Sequence, residues 1–541
     1  MPELKMVKNF IYLKGLNATQ KHELKKILIG SRFFQREQGF QIPEIYIKKA
    51  IQKGKNLPFG VSIPNNIRDY MDMSKKLWNP KFKFSKHIRN RKWIWQARLI
   101  RKALPFGSYC FFCEPGTGKT IIALETIKQI MLNRGKHCKF IIVAPSEIIN
   151  TAFIPDLKRF YPYFKWQAIN ATDRSEKLNQ IRANVNVYLI TPESYGIDIY
   201  NTELHKRHSF TGIFIDESGK YMREGNKLTK WAIKRRFEYK HRFVLSGLPA
   251  PNTPLEYFWQ CAFVEQRLTG FDFEAWRKYY FHPNDENFYI WDISKPKLRE
   301  LLNDLKPRAS WVKILDVMKL PPQKHIKKVY MLDDKQKKIY ERMRKNLALK
   351  LKNVRVISNT NLGKILLLRE LTSGFIYRRK NHKVEAINIG SQKLRILRDE
   401  ILPKIGRKKF IVFCHFTHEV ERLKRLFDTL GIKYATAYSS TVDKTKEIQR
   451  FMYDKNVQAL IANAESSSHG IRLQFCNIAI YFSLSYSSDE LVQSRHRIWR
   501  AGQKKTCYFF YLLAKDTIDE IMLAALNKKL SRVEFAKRVL S

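Results

Sequence analysis

Carboxylates are scarce in this chain. Asp and Glu number 49 against 101 Lys and Arg in 541 residues, a formal net charge of +52. A surplus of that size points to a polyanionic partner, and nucleic acid is the one to expect. Codon drift toward Lys, Asn and Ile does not explain it, because the same drift raises Asp and Glu. Cysteine is also sparse, 7 in all, scattered and odd in number. Cys110 and Cys113 have a C-x-x-C spacing, yet no second pair follows at zinc-finger distance, so they read as small strand and turn residues in a reducing compartment. No apolar run is long enough to span a bilayer. Met1-Pro2-Glu3-Leu4-Lys5 lacks the apolar core of a signal peptide, and no long basic amphipathic helix stands apart for a membrane surface. A soluble intracellular protein without a membrane partner is expected. Apolar residues at 44% and aromatics at 13% exclude a mainly disordered chain.

Three blocks divide the sequence. Residues 1–85 are basic, with a strand-like run at Phe10–Leu13, a helix-like run at Thr19–Ile29 and a Pro/Asn-rich exit at Pro58–Asn66. They read as a small N-terminal α+β accessory domain that binds DNA. Residues 86–305 alternate helical stretches with short apolar strands at Tyr109–Phe112, Phe140–Ala144, Val187–Ile190, Ile213–Ile215 and Phe243–Leu245. Residues 306–541 repeat the alternation, with strands at Phe410–Phe413, Tyr434–Ala437, Ala459–Ala462, Ile478–Phe482 and Tyr508–Leu513. Such alternation predicts an α/β fold of parallel sheets with helices on both faces. The aromatic-rich stretch Phe271–Trp311 reads as a protrusion plus linker, and its tryptophans default to core rather than to stacking on DNA.

The run Cys113-Glu114-Pro115-Gly116-Thr117-Gly118-Lys119-Thr120 carries the first chemistry. It lies between a strand-like run and a segment with helical spacing of Ile121, Ile122, Leu124, Ile127 and Ile130, closed by Gly135. Strand, Gly-rich turn and helix in that order make a triphosphate cradle. Gly116 and Gly118 let backbone N–H groups approach the phosphates, with Thr117 between them. Lys119 reaches the β- and γ-phosphates, and the Thr120 hydroxyl holds Mg²⁺. The strict pattern has Gly where Cys113 stands.

A second element is Asp216-Glu217, directly after the apolar run Ile213–Ile215. An isolated acidic pair is ordinarily a solvated turn. At the end of a buried strand it suits ATP hydrolysis, with Asp216 as a metal ligand and Glu217 orienting and deprotonating water. A third is Gln493-Ser494-Arg495-His496-Arg497-Ile498-Trp499-Arg500, where Arg497 and Arg500, three apart, are expected on one helical face. Guanidinium groups delivered from a second lobe suit the charge that builds on a γ-phosphate. Arg495 is an alternative DNA contact.

In the order and spacing of these runs, from about Trp93 to Asn527, the chain resembles a Swi/Snf-type member of helicase superfamily 2. The resemblance implies two tandem RecA-like lobes. It assigns adenine reading to Gln96, DNA tracking to Val143–Ser146 and Ile190–Ser194, and lobe coupling to Ser246 in Leu245–Asn252 and to Gln493. It places Gly470, in Ala464–Leu473, beside the nucleotide. Leu320–Pro322, Leu332–Gln336 with Tyr340, Leu371–Phe375, Ser391–Leu394, Ile411–Phe416 and Asp516–Glu520 also follow the family pattern. Departures are Gly219 for the usual His, Leu248 for Thr, Ser467–His469 for a Gly-rich turn and His496 for an acidic residue.

The resemblance further implies ATP and Mg²⁺ as cofactors, double-stranded or branched DNA as partner, and a monomer in the cytoplasm of a bacterial or virus-infected cell. The expected activity is an ATP-dependent duplex translocase driving branch migration at forks or four-way junctions. Alternatives are a transcription-associated ATPase acting on a polymerase, and a DNA-binding scaffold with weak ATPase.

Overall fold

The computed structural model describes the chain apart from positions 1, 8–9, 28–31, 35–38, 91–92, 271, 285–290, 346–347, 352–353, 358–360, 381–382, 464–472, 486 and 528–541. It folds as two units, one comprising Met1–Val317 and one beginning at Met318.

The first unit is built on a seven-stranded, all-parallel sheet in the order Ala309–Val312, Ser108–Cys113, His241–Ser246, Gly212–Ile215, Phe140–Val143, Val187–Ile190, Trp166–Ile169. The side-chain period of two sorts its strands into two cores. Cys110, Phe112, Ile141, Val143, Tyr188, Ile190, Ile213, Ile215 and Val244 face one. Tyr109, Phe111, Cys113, Phe140, Ile142, Val187, Leu189, Phe214, Phe243 and Leu245 face the other. Strands buried on both faces read as unbroken apolar runs, which is why this sheet was legible.

The expected protrusion at Phe271–Trp311 is instead part of this unit. Helix Phe273–Tyr280 puts Trp276 in the core at 0% exposure, helix Lys295–Leu305 packs beside it, and Ala309–Val312 pairs with Ser108–Cys113. The lobe boundary therefore falls at Val317–Met318 rather than at 305–306.

The accessory domain is a four-stranded antiparallel sheet with helices Ala18–Ile27, Glu44–Gln52 and Asn65–Met71. Its own core runs from Leu4 to Met71, whereas Phe84 and Ile88 belong to the lobe's core. The expected boundary at 85 is thus late. Residues 81–85 form an extended strap along helix Lys119–Arg134. Asn133 brackets the Lys81 backbone (N–H to Oδ1 2.7 Å, Nδ2 to O 2.8 Å), and Gln129 brackets Lys83 (both 3.0 Å). Glu125 accepts from Ser85 N at 3.0 Å. Four helical residues rise about 6 Å and two extended residues about 6.6 Å, so alternate strap positions meet successive side chains of one stripe.

The accessory domain docks on the lobe through buried charge. Asp304 accepts from Lys49, Tyr280 and Gln52 and lies 3.5 Å from Lys48 Nζ. Lys49 also pairs with Glu300 at 2.7 Å. Gln266 donates to Glu44, and Arg267 to the Tyr70 carbonyl.

The second unit carries a six-stranded parallel sheet in the order Gln323–Tyr330, Cys507–Ala514, Ile478–Tyr481, Phe410–Cys414, Ala459–Asn463, Tyr434–Ala437. Its four central strands are likewise buried on both faces. The two sheets with their covering helices are the α/β lobes expected.

Candidate active site

Parallel strands gather their C-terminal ends on one edge, where α/β sheets hold ligands. In the first unit that edge carries three loops from neighbouring strands: Glu114–Gly118 after Ser108–Cys113, the acidic pair after Gly212–Ile215, and the loop after His241–Ser246 that lies between them.

The first loop has the shape a phosphate needs. Gly116 and Gly118 have φ of 87° and 83°, which an L side chain strains to adopt. A Cβ at Gly118 would stand 2.7 Å from Gln96 Nε2. Thr117 is buried, and its hydroxyl closes the turn on Glu114 O at 2.6 Å, which leaves only its backbone to face a phosphate. Lys119 opens the helix Lys119–Arg134 with Thr120 next to it, aiming the positive end of the helix dipole into the loop.

Gln96, 1% exposed, donates through Nε2 to Thr117 O at 2.9 Å. Its Oε1 is buried with no hydrogen-bond partner, as is Trp95 Nε1. With one Nε2 proton on Thr117 O, a two-bond amide contact to adenine would use the second; Nε2 also lies 3.4 Å from Gly118 O. The free Oε1 alone suits an exocyclic amine, which donates.

Asp216 is 2% exposed, and its Oδ1 accepts from Glu217 N at 2.9 Å. Glu217 sits at φ 47°, ψ 41°, a left-handed conformation rare outside glycine and a form of strain that gathers at functional sites. It brings Glu217 Oε1 within 3.6 Å of Lys119 Nζ. Burial and the Glu217 charge push Asp216 up to about 7, with Lys119 pulling the other way. Burial lowers Lys119, but Glu217 and Asp216 outweigh it and hold the ammonium above its ordinary value. Two crowded carboxylates beside one lysine are a site that a divalent cation would relieve, so the donor set fits the expected Mg²⁺.

The third loop interlocks with both. A Cβ at Gly247 would stand 2.8 Å from Pro115 Cδ and 3.3 Å from Lys119 Nζ. A Cβ at Gly219 would overlap the Leu248 carbonyl oxygen and stand 3.0 Å from Pro249 Cα. Gly219 therefore marks direct backbone contact between the acidic loop and the loop after His241–Ser246, where a histidine has no room. Ser246 Oγ, within this knot, is buried without a partner.

In the second unit, Gln493 and Arg497 lie on helix Ser488–Ile498, half-buried and 5% exposed respectively. Arg500 does not share that helical face. Trp499, at ψ 83° with its Nε1 bonded to Pro321 O at 2.7 Å, ends the helix, and Arg500 stands in the following turn before Gly502 (φ 96°). Arg495 donates to Tyr511 OH at 3.0 Å. Gly470 and Ser467–His469 lie outside the described residues.

Five other family-like runs of this unit meet in one buried network. Glu419 accepts from Ser373 and Ser483 hydroxyls, both at 2.6 Å, and from His415 and Phe416 N–H groups. Lys393 Nζ lies 3.4 Å from Ser373 Oγ and 3.5 Å from Asp519, which also accepts from Thr372 at 2.9 Å. Gln336 donates to Leu371 O, and Tyr340 OH accepts from Ile518 N. These runs hold the lobe together, a role that no motif announces.

Comparison with known proteins agrees with this architecture. Residues 101–397 match the SNF2-related domain, and residues 392–502 the helicase conserved C-terminal domain. The chain belongs to the SNF2-related family. It is 24% identical over 414 residues to an uncharacterised ATP-dependent helicase of Mycoplasma pneumoniae, covering 75% of this chain and 38% of that protein. It is 23% identical over 462 residues to protein p41 of Acyrthosiphon pisum secondary endosymbiont phage 1, covering 80% and 95%. A Caenorhabditis elegans homolog of SWI/SNF-related matrix-associated actin-dependent regulator of chromatin subfamily A-like protein 1 is 23% identical over 440 residues, covering 77% and 57%. The chain thus spans well under half of the Mycoplasma helicase and almost all of the phage protein. Among solved structures, the Sulfolobus solfataricus SWI2/SNF2 ATPase core in complex with dsDNA aligns with 86% of this chain and 99% of its own, at 17% identity and a TM-score of 0.39. No helix among the described residues is long and apolar enough to cross a membrane.

Proposed function

We propose that this protein is an ATP-driven duplex-DNA translocase that remodels branched DNA, moving forks or four-way junctions during replication, recombination or repair. The observation that carries the reading is the meeting of Lys119, Glu217 and the Ser246–Asn252 loop on one sheet edge, in a chain of the SNF2-related family. Gly116, Thr117, Gly118 and Lys119 hold the triphosphate, with Gln96 Oε1 toward the base. Thr120 and Asp216 would hold Mg²⁺, which would supply charge neutralisation at the phosphates. Glu217 orients the attacking water and takes its proton. The family resemblance assigns Gln493, Arg497, Arg500 and Gly470 of the second lobe to the same hydrolysis.

DNA is held by its backbone, as the net charge of +52 favours, and affinity falls steeply with salt. The accessory domain, fixed to the first lobe through Asp304 and presenting exposed Lys21, Lys53 and Lys55, supports a second DNA arm at a constant position, as a junction requires. The protein works as a monomer.

The test supplies ATP with synthetic forks, four-way junctions, plain duplex and single strands, and follows products on a gel. Junction-specific products are expected. Changing Lys21, Lys53 and Lys55 together to Glu is expected to weaken branched-DNA processing more than duplex-stimulated hydrolysis. Hydrolysis stimulated by duplex without conversion of any junction would leave a translocase and remove branch migration.

A further inference from the structure

We infer that Gln260 is a positioning residue for the hydrolytic carboxylate, tying the acidic loop to the coupling loop through Ser218. This rests on the ATPase reading above and concerns residues which that reading leaves unassigned. Gln260 lies on helix Tyr257–Val264, an almost wholly apolar segment, and is 0% exposed. A polar side chain in such a place is retained only if its hydrogen bonds are satisfied, and here both ends of the amide are. Nε2 donates to Pro249 O at 2.6 Å and to Glu256 O at 2.8 Å. Two carbonyls around one atom fix it as the nitrogen, so Oε1 faces the other way. There it accepts from Ser218 Oγ at 2.7 Å, shorter than the 3.2 Å from that hydroxyl to Leu245 O.

The two loops joined in this way are the ones that matter. Ser218 directly follows Glu217, whose left-handed backbone turns the carboxylate toward Lys119. Pro249 follows Leu248, whose carbonyl occupies the space where Gly219 has no side chain. The close approach at Gly219 prevents the loops from moving nearer, and the Ser218–Gln260–Pro249 bridge prevents them from parting. Arg223 adds a peripheral tie, donating to Gly219 O at 3.2 Å and lying 3.7 Å from Glu256. A displacement of the Ser246–Asn252 loop is thereby passed to Glu217 rather than absorbed. At 219, where the resemblance leads to a histidine, this chain instead joins the loops by backbone contact and an amide one helix away.

The test is steady-state ATP hydrolysis at saturating duplex DNA with Gln260→Met, Ser218→Ala and the double variant. Met keeps the volume and removes all three hydrogen bonds of the amide. Displacing the water-orienting group is expected to lower kcat by about ten- to a hundredfold while KM for ATP stays within about twofold, because the phosphate loop is untouched. Ser218→Ala is expected to lower kcat in the same direction. The double variant should be no worse than Gln260→Met alone, since both cut one bridge. Wild-type kcat in a folded Gln260→Met, multiplicative losses in the double variant, or a loss carried by KM would each overturn the inference while leaving the ATPase reading intact. A wild-type protein that hydrolyses no ATP would end both. If Gln260→Met does not fold, Ser218→Ala, which removes a single oxygen, carries the test.

Discussion

Gly247 lies against Lys119 so closely that a single added carbon would come within 3.3 Å of the ammonium nitrogen. The Ser246–Asn252 loop thus packs beside the residue expected to bind phosphate, and the same added carbon would stand 2.8 Å from Pro115 Cδ. Gly247→Ala must push one of them. Overpacking of this kind costs about 1–3 kcal/mol, here borne by the phosphate loop. ATP binding is expected to weaken by roughly tenfold or more, measured with a fluorescent nucleotide, while the protein stays folded.

Asp304 holds the accessory domain to the first lobe. Burial alone would raise its carboxyl, but Lys48 and the hydrogen bonds from Lys49 and Tyr280 keep it below the usual carboxylate range. Asp304→Ala leaves two largely buried ammonium groups without this partner. A cost of about 3–5 kcal/mol is expected in chemical denaturation, with faster protease cleavage between Met71 and Lys81. Asp304→Asn, which keeps the shape but not the charge, should fall between.

Glu370 gives a pH signature in the second lobe. It is 3% exposed and accepts from Tyr377 N at 3.0 Å. Burial pushes it up to about 7, from an ordinary 4.5, against the pull of Tyr377 N–H and Arg369. A raised folded value stabilises fully below the unfolded value, and that stability is lost as pH rises through the folded one. Stability of this lobe should therefore decline between about pH 4.5 and pH 7. Glu370→Gln should flatten the decline, raising the melting temperature at pH 8 and leaving it little changed at pH 4.5.

The sequence was most legible where burial was complete. All ten strands expected in the two lobes are present to within two residues at either end, because strands buried on both faces carry no polar interruption. Trp166–Ile169 and Ala309–Val312 escaped notice, being only partly buried strands at the sheet's two edges. The strap at 81–85 was unreadable because it pairs with side chains of a helix, a partner with no period of its own in the strap. The place of Lys119, Asp216 and Glu217 beside strand ends was legible because each lies in a short run next to an unbroken apolar strand. Gln260 left a signal that went unread: one polar residue inside Tyr-Phe-Trp-Gln-Cys-Ala-Phe-Val. Arg500 was misplaced because a spacing of three implies a shared face only while the helix lasts, and Trp499 ends it.

The proposed function depends above all on Lys119 serving nucleotide chemistry rather than only pairing with Glu217. The direct measurement is phosphate release with and without duplex DNA for the wild type and Lys119→Ala, alongside DNA binding. Duplex-stimulated release by the wild type, its loss in the variant and nearly unchanged DNA affinity are predicted. Undiminished turnover in Lys119→Ala would contradict the account.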